Sequence, residues 1–98
     1  MTDSNPSLCI PRIINNINED KIRHVFNKLE IGLIHRIDII AKKTEKGELN
    51  KRVYIHFNNW FNNEFANSFK NKIILGEEMK IVYDFPLFWK VSANKSRR

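Results

Sequence analysis

Lys51-Arg52-Val53-Tyr54-Ile55-His56-Phe57 is the stretch whose reading decides the fold. Successive side chains of a strand point to opposite faces, so Val53, Ile55 and Phe57 share one face and Arg52, Tyr54 and His56 the other. The first face is apolar and belongs against a core. The second sets a flat aromatic ring among cations, the kind of surface on which unpaired bases stack while phosphates meet positive charge.

Working outward, residues 33–40 set Ile37 and Ile39 on one face and Arg36 and Asp38 on the other, a second strand. Asp38 is then a cross-strand neighbour with which Arg52 can pair. Between the two strands, residues 41–50 are rich in Lys and Glu around Gly47 and lack an apolar period, which predicts a loop joining antiparallel strands. Upstream, Asn18 is a helix N-cap, followed by Glu19 and Asp20, whose negative charge suits the first turn. Ile22, Val25, Phe26 and Leu29 recur at i, i+3, i+4 and i+7, so a helix follows, and Gly32 closes it. Residues 7–13 read as a brief apolar strand with Pro11 marking its end or a sheet edge.

Downstream, the asparagine-rich segment 58–63 is a turn, and Trp60 and Phe61 within it staple the start of a second helix. Phe65, Ala66, Phe69 and Ile73 form that helix's buried stripe, and Gly76 ends it. Residues 79–83 make a last strand, with Met79, Ile81 and Tyr83 inward and Lys80 and Val82 outward. The order β-α-β-β-α-β predicts an α+β sandwich of ferredoxin-like type: a four-stranded antiparallel sheet with both helices on one face. Residues 1–7 are then a disordered lead, 8–84 the domain, and 85–98 an extension that is first aromatic and then basic.

Composition narrows the function. A chain of 98 residues, 42% hydrophobic, is one small domain with a single core. Its net charge of +6 favours a polyanionic partner. Lys90, Lys95, Arg97 and Arg98 supply four of those charges at the very end, so the body is only mildly cationic. A single cysteine, Cys9, forms no internal disulfide and fits a reducing compartment. The first six residues lack the basic start and apolar run of a secretory leader, and no apolar stretch approaches the roughly 18 residues of a membrane span. An intracellular location, cytoplasmic or nuclear, with no membrane partner is expected.

Over roughly residues 8–84 the chain resembles an RNA recognition motif (RRM) domain. The family's strand-one motif aligns with Leu8-Cys9-Ile10-Pro11-Arg12-Ile13 and its strand-three motif with Asn50-Lys51-Arg52-Val53-Tyr54-Ile55-His56-Phe57. The core positions match. Of three stacking positions that the resemblance implies, Tyr54 alone is aromatic; Cys9 and Arg52 hold the other two, and Lys51 holds the family's glycine. Each lost aromatic removes stacking worth roughly 1–3 kcal/mol per base. Arg52 recovers part of it, since a guanidinium plane stacks on bases and pairs with phosphate. The chain is also similar in style to short RRM-like proteins of nucleocytoplasmic large DNA viruses. The Cys9-Ile10-Pro11-Arg12 start, the Thr44-Glu45-Lys46-Gly47 loop and the aromatic stretch 85–92 carry that likeness, which implies a small viral protein in an infected host cell.

The expected site is a sparse, non-catalytic platform for single-stranded RNA or DNA with weak sequence specificity. Tyr54 stacks a base, Arg52 stacks or meets phosphate, and Arg36, His56 and Lys80 add charge and hydrogen bonds. Lys42, Lys43 and Lys46 are placed to clamp a backbone, and Lys95, Arg97 and Arg98 to add salt-sensitive affinity. A competing reading rests on Phe85, Phe88 and Trp89, three aromatics after the last strand that are costly to leave in water. They fold back over the sheet, or they dock on a protein partner or a second copy, which makes an interaction module with no nucleic-acid role. An enzyme is not expected. His24, His35 (inner face of strand two) and His56 do not converge, and Cys9 has no base to activate it. No cofactor or metal is expected either: neither a Cys-x-x-Cys nor a His-x-x-x-His pair is present, and three glycines leave no phosphate loop.

Overall fold

A computed structural model describes residues 6–13, 17–43, 45–47 and 49–94. The elements run β1 (Leu8–Ile13), α1 (Glu19–Leu29), β2 (Gly32–Lys43), β3 (Leu49–Trp60), α2 (Glu64–Ile74), β4 (Met79–Asp84) and β5 (Leu87–Ala93). The strands form one antiparallel sheet of five, in the order β2-β3-β1-β5-β4. The fold is thus α+β with two helices, and the sheet has one strand more than the four expected.

Both helices start on an asparagine. The Asn18 side chain accepts the Lys21 N–H at 2.9 Å and the Asn63 side chain accepts the Ala66 N–H at 2.7 Å, satisfying amides that a first turn leaves unpaired. α2 ends as expected at Gly76, whose φ of 90° suits a residue without a Cβ. The Gly76 N–H reaches the Ile73 carbonyl and the Glu77 N–H the Lys72 carbonyl, both at 3.0 Å, the paired closure of a Schellman motif. α1 ends differently. Glu30 takes the left-handed conformation at φ 55°, and Gly32 is the first residue of β2.

β2 and β3 are longer than their apolar pattern. They pair from Gly32 with Trp60 to Lys43 with Leu49, so the expected loop of ten residues shrinks to 44–48. Backbone pairing carries the hairpin past the point where side-chain alternation stops. Pro11 lies in neither an edge strand nor a strand end: β1 is central. Pairing with β3 passes from Ile10 opposite Val53 to Ile13 opposite Lys51, so Pro11 and Arg12 sit in a bulge, where a missing N–H costs no ladder bond.

The larger revision concerns the end of the chain. Leu87–Ala93 is a strand of the sheet, joined to β4 by a turn at Phe85-Pro86, and it takes the place beside β1. Met79–Asp84 is pushed to the outer edge. Pro86 does not prevent this pairing, because it sits in the turn, where no ladder N–H is required. The segment 85–98 is therefore an extension only beyond Ala93. Its basic end, Lys95, Arg97 and Arg98, lies outside the described residues, as does the 1–5 part of the expected lead.

One apolar core joins the inner sheet face to both helices: Leu8, Ile10, Ile37, Val53, Ile55 and Phe57 meet Ile22, Val25 and Phe26 of α1 and Ala66, Phe69 and Ile73 of α2. Trp89 completes it from β5. Its ring stacks on Tyr83 (centroids 4.3 Å) and lies parallel to Phe26 at 6.1 Å. Trp60 packs on Phe57 and Phe69, as a staple into α2 requires, and donates to the Pro6 carbonyl at 3.0 Å. Phe61 beside it is exposed.

Candidate nucleic-acid interface

With the helices on the inner face, the outer face of the sheet is open. Cys9 of β1 lies opposite Tyr54 of β3 on one side and Ser92 of β5 on the other, while Asp38 of β2 lies opposite Tyr54. The row Asp38, Tyr54, Cys9, Ser92 therefore crosses four strands. Next to it, Arg36 faces His56 on one side and Ile40 faces Arg52 on the other. Strand alternation brings Arg36, Arg52, Tyr54 and His56 together, as the sequence predicts.

These side chains fall into two groups. Asp38 binds its neighbours: Arg36 Nε donates to its two oxygens at 3.1 and 3.2 Å, and His56 Nε2 donates to Oδ2 at 3.1 Å. A carboxylate only accepts, so the Nε2 proton is fixed and Nδ1 is left to accept from the Ser7 hydroxyl at 2.9 Å. Asp38 thus pairs with Arg36 and His56, and the expected Asp38–Arg52 pair does not form. Arg52 belongs to the second group. Its guanidinium is held above the ordinary arginine value, chiefly through a side-chain hydrogen bond to Tyr54 and then through electrostatic attraction to the same residue. Its Nε is shut off from solvent and has no hydrogen-bond partner.

Arg52 and Tyr54 line a depression of about 400 Å³ together with Cys9, Pro11, Glu78, Ser92 and Asn94. A cysteine in place of a ring is what leaves the space. The bulge contributes too. β1 pairs with β5 only through Leu8 and Cys9, and at Pro11 the two strands part. A second cleft, about 310 Å³, opens there between Pro11, Arg12 and Ile13 and the Phe88, Trp89 and Lys90 side. Burial raises the Cys9 thiol above its ordinary value, and Arg52 draws it the other way by less.

Lys80 stands apart from the other four. It lies on β4, three strands from Tyr54, or about 14 Å at normal strand spacing. Its ammonium sits 4.4 Å from the centre of the Phe88 ring. Of the three aromatics expected to cover the sheet or bind a partner, Trp89 is 2% exposed and faces the core, so it does neither. Phe85 is 86% exposed and Phe88 40%, and both remain available. Sequence reasoning placed Cys9 at a stacking position, where it lies, but missed Ser92, because its segment does not read as a strand. His35, expected on the inner face, is exposed where the β2 register shifts between Ile34 and Arg36.

Among the described residues no three His, Cys, Asp or Glu side chains gather as a metal-ligand set, and no helix is long and apolar enough to cross a membrane. No protein-family model matches the chain, and no curated protein or solved structure is significantly similar to it.

Proposed function

We propose that the outer sheet face binds single-stranded RNA, without catalysis and with little sequence choice, in the manner of an RRM-like domain. The observation that carries this reading is the depression that Cys9, Arg52 and Tyr54 line together on the outer face. A base entering it stacks on the Tyr54 ring, and the Arg52 guanidinium stacks on a base or meets phosphate. Arg36 and His56 contribute less than their positions imply, since Asp38 already holds both. Arg36 offsets the Asp38 charge that would otherwise repel phosphate. Lys80 and Lys90 extend the positive surface toward the β4 edge. The viral resemblance belongs to the same proposal and gains no independent support from the fold.

Fluorescence anisotropy with a pool of short single-stranded RNAs, at low and physiological salt, tests it. Tyr54→Ala and Arg52→Ala are each expected to weaken binding about tenfold, the loss of roughly 1–3 kcal/mol of stacking or charge contact. Arg36→Ala is expected to change affinity much less. Absence of binding at both salts would reject the proposal.

A further inference from the structure

We propose that the cleft where β1 and β5 part is a second base-binding subsite, holding another base of the same single strand that enters the depression beside Tyr54. The inference rests on the RNA reading of the outer face and adds a site to it. β5 pairs with β1 only through Ser92 and Ala93, and the bulge at Pro11 then carries β1 out of the ladder. The backbone of β5 before Ser92 therefore has no ladder partner on its β1 side among the described residues. The gap is the cleft of about 310 Å³, at the lower end of the roughly 300–1,000 Å³ typical of small-ligand pockets.

Its walls carry the two chemistries that a nucleotide needs. Tyr83, Phe88 and Trp89 supply aromatic surface, and Arg12 and Lys90 supply positive charge. Trp89 and Tyr83 are stacked on each other and Trp89 belongs to the core, so Phe88, 40% exposed, is the ring open to a base. Pairing between β4 and β5 is regular from Phe88 to Val91, so Phe88 and Lys90 alternate with Ser92 on the face that carries Cys9 and Tyr54. The Lys80 ammonium lies 4.4 Å from the centre of the Phe88 ring and takes only one of its two faces. Ring and cation stand together there as Tyr54 and Arg52 do in the depression. The subsite thus gives a role to Lys80 and Phe88, which the sequence singles out and the depression does not use.

The two hollows share Pro11 and Glu78, so they adjoin. Their rings are still too far apart to share one base. Tyr54 and Phe88 lie two strands apart, about 10 Å, and Phe88 is a further four residues along β5 from Ser92, about 13 Å. Rings in contact have centres only about 4.5–7 Å apart. Two bases are therefore needed, on a strand that runs diagonally across β1. Glu78 is the one acid among the described residues lining either hollow. A carboxylate only accepts, so it suits base N–H groups, and the phosphates belong on the Arg12 and Lys90 side.

Fluorescence anisotropy of the full chain with short single-stranded RNAs tests the subsite, comparing wild type, Tyr54→Ala, Phe88→Ala, the Tyr54→Ala/Phe88→Ala double variant, Arg12→Gln and Lys90→Gln over a range of salt. Far-UV circular dichroism checks that each is folded. Phe88→Ala is expected to weaken binding about tenfold, and the double variant about a hundredfold, as independent contacts multiply. Arg12→Gln and Lys90→Gln are each expected to flatten the slope of log affinity against log salt by about 1. Both residues are exposed, so their variants test the cleft even if Phe88→Ala fails to fold. Binding that Tyr54→Ala weakens while Phe88→Ala, Arg12→Gln and Lys90→Gln leave it unchanged overturns the subsite and keeps the RNA reading. A Phe88→Ala loss that vanishes in the Tyr54→Ala background also overturns it, since both rings then serve one base. No binding by wild type at low or physiological salt overturns both.

Discussion

Cys9 lines the depression, so its thiol chemistry reports on an occupant. Burial holds its proton on to higher pH than in an unfolded chain, with Arg52 opposing by less. The thiolate is the reactive form, so alkylation by iodoacetamide at neutral pH should be slower than for a cysteine in an unfolded peptide. The linkage sign follows. Above the ordinary thiol value the unfolded chain loses its proton and the folded one keeps it, so stability is complete below that value and falls as pH rises past it. Cys9→Ser should remove this alkaline slope from denaturation curves. Single-stranded RNA should slow the alkylation further in wild type and not in Tyr54→Ala. Equal rates with and without RNA would separate the depression from the binding surface. At this scale alternation made Tyr54, Arg52 and His56 legible. The bracket around Asp38 was not, because it depends on which residue of β3 faces which residue of β2.

Among the elements, the β2–β3 hairpin depends on a close approach at its start. A Cβ added at Gly32 would lie 2.7 Å from the Asn59 carbonyl oxygen and 2.8 Å from the Phe57 ring, nearer than real contacts allow. The backbone oxygen cannot swing away as a side-chain tip can. Gly32→Ala should therefore destabilise the fold by about 1–3 kcal/mol, the usual cost of overpacking, measured by urea denaturation. Gly47 is the contrasting case, since nothing lies within 4 Å of its added Cβ, and an alanine there would be strained only by its φ of 87°. The sequence assigned Gly32 to the end of α1, a reasonable inference from helix-closing glycines. Glu30 took that role, and the glycine is needed for strand packing instead. Both helices were legible because a 3.6-residue stripe and an asparagine cap are local signals. The β4–β5 hairpin was not. Its strand Leu87–Ala93 contains a buried Trp89 and Val91 among exposed Leu87, Phe88 and Lys90, a pattern that reads equally well as an aromatic tail.

For the molecule as a whole, the question is whether residues 8–84 fold alone. The expected four-strand domain stops at Asp84, but the sheet does not. Removing residues 85–98 deletes β5, which separates β1 from β4 and supplies Trp89 and Val91 to the core. β4 would lose the strand it pairs with, and Phe26 and Tyr83 would lose the ring between them. Trp89→Ala alone should cost about 3–5 kcal/mol, a large share of the roughly 5–15 kcal/mol that holds a domain together. A chain ending at Asp84 should therefore show no cooperative thermal transition by circular dichroism. One ending at Asn94 should melt as the full protein does. A sharp, native-like melt of the shorter chain would mean that 8–84 carries its own core and that β5 is an addition to it.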